Sequence, residues 1–355
     1  MKSRPSRFFT AARLRKIDMK IVLLGVALSL ATLPLSVCAN PMDEEFEKIA
    51  KDYVEGMLAS QPEFATELGD HRFDDQLTDY SRPTRDRMLA RAKQFRDQMK
   101  RFDDFSQLTG ANQVDVRILQ DNIDSEIFEL EELKEPDWNP LVYNQSLANG
   151  LYLIVTRDFD SAEKRIPNLR KRMEAIPQVI DQAKANLRHP PRVHTETAIE
   201  QTQGAITFVR EGLAPLLDQA PQLKTEIAPL QEKTAKALED YKKWLQENLL
   251  KRSDGDFRIG PEKFRKKLRF ALASDLSMEE IMKRAQSDLQ QTQAAIYETA
   301  LPLYKKYFPK ADEKTLADKH KVTAGVLDKL ADQHPDDITI VGYAQKIVGG
   351  ATNFV

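Results

Sequence analysis

The sequence predicts an all-α protein, a large multi-helix domain of about ten helices with few or no strands. Three observations carry that expectation. Apolar residues step by three or four positions in every long segment. Glycine is only 13 of 355 residues, about half its usual share, which argues against turn-rich β folds. Helix-start signals and Pro/Gly clusters stand at the ends of the periodic stretches.

Along the chain, Pro62 and Gly69 mark the first breaks, with a helix ending at Gly69. Val116, Leu119, Ile123, Ile127 and Leu130 then form one apolar face. A break at 135–140 follows, and Trp138–Tyr143 is extended enough to be a short strand. Asp160-Ser161-Ala162-Glu163 reads as a weak helix start. After the His189-Pro190-Pro191 break, Leu223, Ile227, Leu230, Leu238, Tyr241, Leu245 and Leu249 define another helix, with Thr234 filling the gap. Pro229 fits its first turn or kinks it. Beyond the break at 255–261, Ser277-Met278-Glu279-Glu280 is a capping box. It opens the helix of Ile281, Ala285, Leu289, Thr292, Ile296, Ala300 and Leu303. Past His334-Pro335, Ile340, Ala344, Ile347, Ala351 and Phe354 form a last stripe. Such a stripe, without a polar final turn, is expected of a chain cut before its packing partner.

Charge divides the chain. Lys+Arg and Asp+Glu nearly balance, 53 against 55, but residues 1–20 carry a net +6 and residues 21–39 carry no charge. The remaining 40–355 has a net charge of −8, which gives no electrostatic reason to bind nucleic acid or anionic lipid. A basic start, an apolar run and the small-residue end Val37-Cys38-Ala39 describe a secretory signal over 1–39, cut before Asn40. Met19 would be a conventional start, making 1–18 a candidate mis-assigned extension. The expected location is the periplasm or the exterior, and the membrane is reached only through the signal or a lipid. Cys38, in Leu35-Ser36-Val37-Cys38, is the candidate lipidation site of an anchored lipoprotein, although Val37 suits that motif poorly. Cut after Ala39, the chain keeps no cysteine, so disulfides, thiolate chemistry and Cys-ligated zinc are excluded.

None of the five histidines stands in a His-Glu-x-x-His pair. His189 and His194 flank a Pro-Pro turn and would need a third ligand to hold a metal; exposed loop positions describe them better. No Gly-x-Ser-x-Gly elbow or glycine-rich phosphate loop is present. Glu126, Glu129, Glu131, Glu132 and Glu135 read as a solvated helix face. The densest stretch follows Gly69 and gathers His71, Arg72, Asp74 and Asp75. It is either a loop pinned by Arg72 pairing with Asp74 or Asp75, or a cleft-lining element that helps hold a substrate. The pinned loop is the simpler account.

Leu68-Gly69-Asp70-His71-Arg72-Phe73-Asp74-Asp75-Gln76-Leu77-Thr78-Asp79-Tyr80-Ser81 resembles the N-terminal signature of the bacterial family called domain of unknown function 885. The resemblance continues through Asn139-Pro140-Leu141-Val142-Tyr143, Arg165-Ile166-Pro167, Asn186-Leu187 to Pro190-Pro191, Thr197-Ala198 with Gln201, and Phe257-Arg258-Ile259-Gly260 before Phe264. It runs over about residues 43–355. It implies an exported, helix-rich protein, often a lipoprotein, whose longer relatives carry a His-Glu-x-x-Pro-Gly-His segment similar to zincin-type metallopeptidases. Zinc-assisted peptide hydrolysis is the implied chemistry of those relatives. This chain has no such segment, so no zinc ligand or catalytic residue carries over and no cofactor is expected in the chain itself. Only the His71–Asp75 loop transfers, as a candidate cleft element. The expected function is that of an exported, peptidase-like helical protein that is inactive as it stands. The alternative is a non-catalytic periplasmic module that binds peptides or acts as a scaffold.

Overall fold

Asn40 accepts a hydrogen bond from the Met42 N–H at 3.1 Å, and Pro41 follows it, so the first helix, α1 (Pro41–Ser60), begins on a capped, proline-set turn. The protein is described here from a computed structural model covering residues 40–332 and 334–354. The signal over 1–39, the doubtful start at 1–18 and Cys38 lie outside the described residues.

Similar devices start most of the later helices. Pro62 opens α2 (Pro62–Leu68), which ends at Gly69 in the left-handed region, φ 91°, a conformation glycine adopts without steric cost. Ser81 caps α3 (Arg82–Met99) by accepting from the Thr84 N–H. After α4 (Gly110–Phe128) the helix widens into a π turn over Glu129–Leu133, closed by left-handed Lys134. Asn139 caps α5 (Pro140–Thr156). Then come α6 (Ala162–Asn186), α7 (Arg192–Thr207), the single turn α8 (Ala214–Leu217) and α9 (Pro221–Trp244). The C-terminal third holds α10 (Pro261–Leu272), α11 (Met278–Tyr307), α12 (Glu313–Ala317), α13 (Lys319–Ala331) and α14 (Ile340–Phe354). The Ser277 half of the capping box forms, accepting from the Glu280 N–H at 3.1 Å. No strand occurs among the described residues; one isolated bridge joins Pro191 to Gly255. The all-α expectation is met.

Two local expectations change, and a third is decided between its two alternatives. Trp138–Tyr143 is no strand: Asn139 and Pro140 satisfy and fix a helix start there, and α5 takes the rest. Ser161 stands at the N-cap of α6 but its side chain makes no cap hydrogen bond. Pro229 lies in the interior of α9, because Pro221 already occupies its first turn.

Apolar faces meet in three clusters. Phe46, Met99, Phe102, Val116 and Ile123 bring α1, α3 and α4 together. A larger core from α5 through α9 gathers residues such as Leu147, Ile154, Leu169, Leu238 and Leu245. A small cluster of Ala300, Val322 and Val326 joins α11 to α13. The last stripe is helical, with Ile340, Ile347 and Phe354 exposed. No described helix is long and apolar enough to cross a membrane. The first two clusters leave a space between them, bordered by α2 and the start of α5.

Candidate functional site

The His71–Asp75 loop is built as a clamp. Asp74 is buried and accepts from the Thr66 hydroxyl of α2 at 2.6 Å, with His71 Nδ1 at 2.9 Å on its other oxygen. Thr66 Oγ1 accepts in turn from Arg172 Nη2 of α6 at 2.7 Å. Arg172 is wholly buried and also donates to the Gly150 carbonyl at 2.7 Å. Burial lowers its pKa, with Glu63, Asp74 and Asp75 opposing the shift. Arg72 does not pair with Asp74 or Asp75, as the residue types suggested. It folds back on Asp70 and reaches Glu55 of α1 at 2.7 Å, because Asp74 faces inward. Its hydrogen bond holds Asp70 at about 2. Asp75 is held below the ordinary range by Lys171, 2.7 Å away. The loop therefore ties α1, α2 and α6 together.

The cavity lies beside this clamp, and none of His71, Arg72, Asp74 or Asp75 is in its wall. It has a volume of about 470 Å³ between the two main helical clusters, within the range of ligand sites. Its carboxylates come from four places: Glu63 and Glu67 of α2, Asp79 of the following loop, Glu126 and Glu129 around the end of α4, and Glu135 before α5. Phe64, Met88, Leu130 and Leu153 supply apolar wall. Among the described residues only two cations enter, and both are already engaged: Arg85 with Asp137 at 2.6 Å and Lys267 with Glu135 at 2.9 Å.

These carboxylates do different work. Burial alone would raise Asp79, but hydrogen bonds from Thr84, Ser81 and Gln182 outweigh it and hold the group below its ordinary range. Glu63 accepts from both the N–H and the hydroxyl of Thr78, at 3.1 and 2.6 Å. Both belong to the scaffold. Glu126 sits above its ordinary range, pushed up by burial and only partly relieved by the Tyr53 hydroxyl, which donates to it at 2.9 Å. Glu129 is exposed at the rim of the cavity, with protein crowding one side of it. Desolvation raises it first, and neighbouring Glu135 and Glu126 raise it further against Lys267. Its carboxylate accepts no hydrogen bond from a described residue. Perturbed, unpaired carboxylates in a cavity mark a candidate cation-binding surface.

The acidic run is thus split rather than solvated throughout. Glu131, Glu132 and Glu135 are bridged by Lys93, Lys266 and Lys267, whereas Glu126 and Glu129, three residues apart on one face of the helix, look into the cavity. That spacing was visible in the sequence, but nothing there says what covers the face. His189 pairs with Asp254 at 2.8 Å, and His194 stacks against Trp138 with ring centroids 5.8 Å apart. Among the described residues no three His, Cys, Asp or Glu side chains are grouped to hold a metal.

A model of the family described as bacterial protein of unknown function (DUF885) matches residues 62–346. The chain belongs to this family. The DUF885 match takes in the clamp and every helix that borders the cavity except α1. Its fold is similar to a solved structure from Shewanella oneidensis described as a candidate lipoprotein of unknown function. The TM-score is 0.68 at 24% identity, over 87% of this chain and 57% of that one. The chain therefore spans a little over half the length of that relative. No curated protein matches it.

Proposed function

We propose that this protein is an exported helical peptide-binding module. It holds cationic peptides in the cavity between α2, the end of α4 and α5, and supplies binding rather than catalysis. The observation that carries this reading is the pair Glu126 and Glu129, facing a cavity of about 470 Å³ whose two cations among the described residues are already paired. A lysine or arginine side chain, or an α-amine, entering this space would meet carboxylates that lack cationic partners, while Phe64 and Met88 cover its aliphatic stem. If longer relatives carry out zinc-dependent peptide hydrolysis, as the sequence resemblance implies, this part holds the substrate for it.

The test is calorimetric titration of the purified protein with capped peptides differing only in Lys, Glu or Ala at one position, alongside a cleavage assay with added zinc. Binding of the Lys peptide alone, without cleavage, is the expected result. Equal affinity for all three would remove the cavity reading. Chelator-sensitive cleavage with stoichiometric zinc would overturn the non-catalytic one.

Export belongs to the same proposal. Cutting before Asn40 leaves the cap of α1 whole, since Asn40 itself accepts from Met42, and the resemblance to a candidate lipoprotein supports an exported or anchored location. N-terminal sequencing of the mature protein is expected to begin at Asn40. A blocked terminus in the membrane fraction would assign Cys38 as a lipidated start.

A further inference from the structure

A second concavity lies on the other side of α5. It is a groove of about 600 Å³ between α5 and α7, walled by Leu141, Ala148, Tyr152, Gly204 and Phe208. Tyr152 and Phe208 contact each other in its wall, ring centroids 5.6 Å apart and planes tilted by 51°. Gln145 and Asn149 border both this groove and the acidic cavity. They stand four residues apart on one helical face, both exposed, and neither side-chain amide is engaged by a described residue. The two concavities are therefore neighbours across a ridge of idle amides.

Asn144 adds an independent observation. It lines the groove and is only 4% exposed. Its Nδ2 donates to the Ala198 carbonyl at 2.7 Å and to Thr202 Oγ1 at 3.2 Å. A carbonyl can only accept, so the amide orientation is set by chemistry. Its Oδ1 is left buried with no donor. Buried acceptors are rarely left unpaired, so Asn144 is an unsatisfied polar group directly behind the apolar wall of the groove.

From this juxtaposition we propose that the cavity and the groove are two subsites of one extended-peptide site. A cationic side chain enters the acidic cavity, a bulky aliphatic or aromatic side chain from a nearby residue fills the α5–α7 groove, and the intervening peptide backbone crosses Gln145 and Asn149. The inference rests on the peptide-holding reading above and adds its specificity: charge on one side of α5, apolar bulk on the other.

Gly204 provides the test. A Cβ built there meets nothing within 4 Å, so Gly204→Leu adds bulk to the groove wall from a position with open space at its Cβ. The probes are capped short peptides carrying Lys and Phe separated by zero to three alanines, with Lys-only and Phe-only controls, titrated at low ionic strength. At one spacing the Lys–Phe peptide is expected to bind about tenfold or more tighter than either control. Gly204→Leu should return it to the Lys-only level while leaving the Lys-only peptide unchanged. A Lys–Phe peptide no tighter than Lys-only at every spacing, or one indifferent to Gly204→Leu, would overturn the two-subsite inference and leave the cationic cavity standing. No binding by any peptide would overturn both.

Discussion

The imidazole of His71 lies flat on the ring of Phe159, centroids 3.7 Å apart and planes within 10° of parallel. Phe159 belongs to the connection between α5 and α6, so this stack fastens the loop after α2 to the larger helical core. The same imidazole also meets buried Asp74 at 2.9 Å. A histidine that the sequence places in a loop thus has two structural contacts. His71→Ala is expected to lower stability by about 1–2 kcal/mol, measured by urea unfolding, with cooperative melting retained.

Arg172 carries more. Its guanidinium is fully buried, donates to Thr66 Oγ1 and the Gly150 carbonyl, and lies 4.0 Å from Asp74. Removing it leaves a buried carboxylate without its cation and two acceptors short of a donor. Arg172→Ala should destabilise the protein by about 3–5 kcal/mol. A loss under about 1 kcal/mol would show that Asp74 is satisfied by Thr66 and His71 alone.

Gly204 sits inside α7 with open space where a Cβ would go. Glycine in a helix interior costs about 0.5–1 kcal/mol relative to alanine. Gly204→Ala is therefore expected to raise stability by about that amount, read as an increase in Tm.

Glu129 connects stability with binding. Its carboxyl is raised in the folded protein, so the folded state takes up its proton at a higher pH than the unfolded chain does. The folded state then binds more protons than the unfolded one between the two pKa values, and stability falls as pH rises through that window. Glu129→Gln is expected to increase Tm at neutral pH, with the gain shrinking on acidification, while weakening the Lys peptide several-fold. A drop in Tm at pH 7 would show that the carboxylate is stabilised by contacts rather than strained by its surroundings.

Affinity for the cationic peptide should show the same titration. Because Glu126 and Glu129 are both raised, they become neutral at a higher pH than ordinary glutamates on acidification. Binding is expected to weaken from above the usual carboxylate range downward. A pH profile flat until that ordinary range would show that neither Glu126 nor Glu129 takes the cation.

The helices were legible because their signals are local. A three-to-four residue step, a serine or asparagine at the start and a glycine or proline at the break act within one or two turns. For that reason Asn40, Ser81, Asn139 and Ser277 cap where short-range chemistry places them. Family resemblance was legible too, since it rests on ordered short stretches. The site was not. Periodicity separates an apolar face from a polar one, but it cannot say which polar residues another element will cover. Glu126 and Glu131 look alike in sequence; Tyr53 donates to the first and Lys93 bridges the second, partners 73 and 38 residues away. Asp74 turns inward to the Thr66 hydroxyl of α2, and Arg172, on α6, brings a cation to both from across the core. Local periodicity and capping by themselves determined an all-α chain with these breaks. The placing of α2, the end of α4 and α5 around one space decided which carboxylates face a cavity, because desolvation and pairing are set by distant neighbours in space.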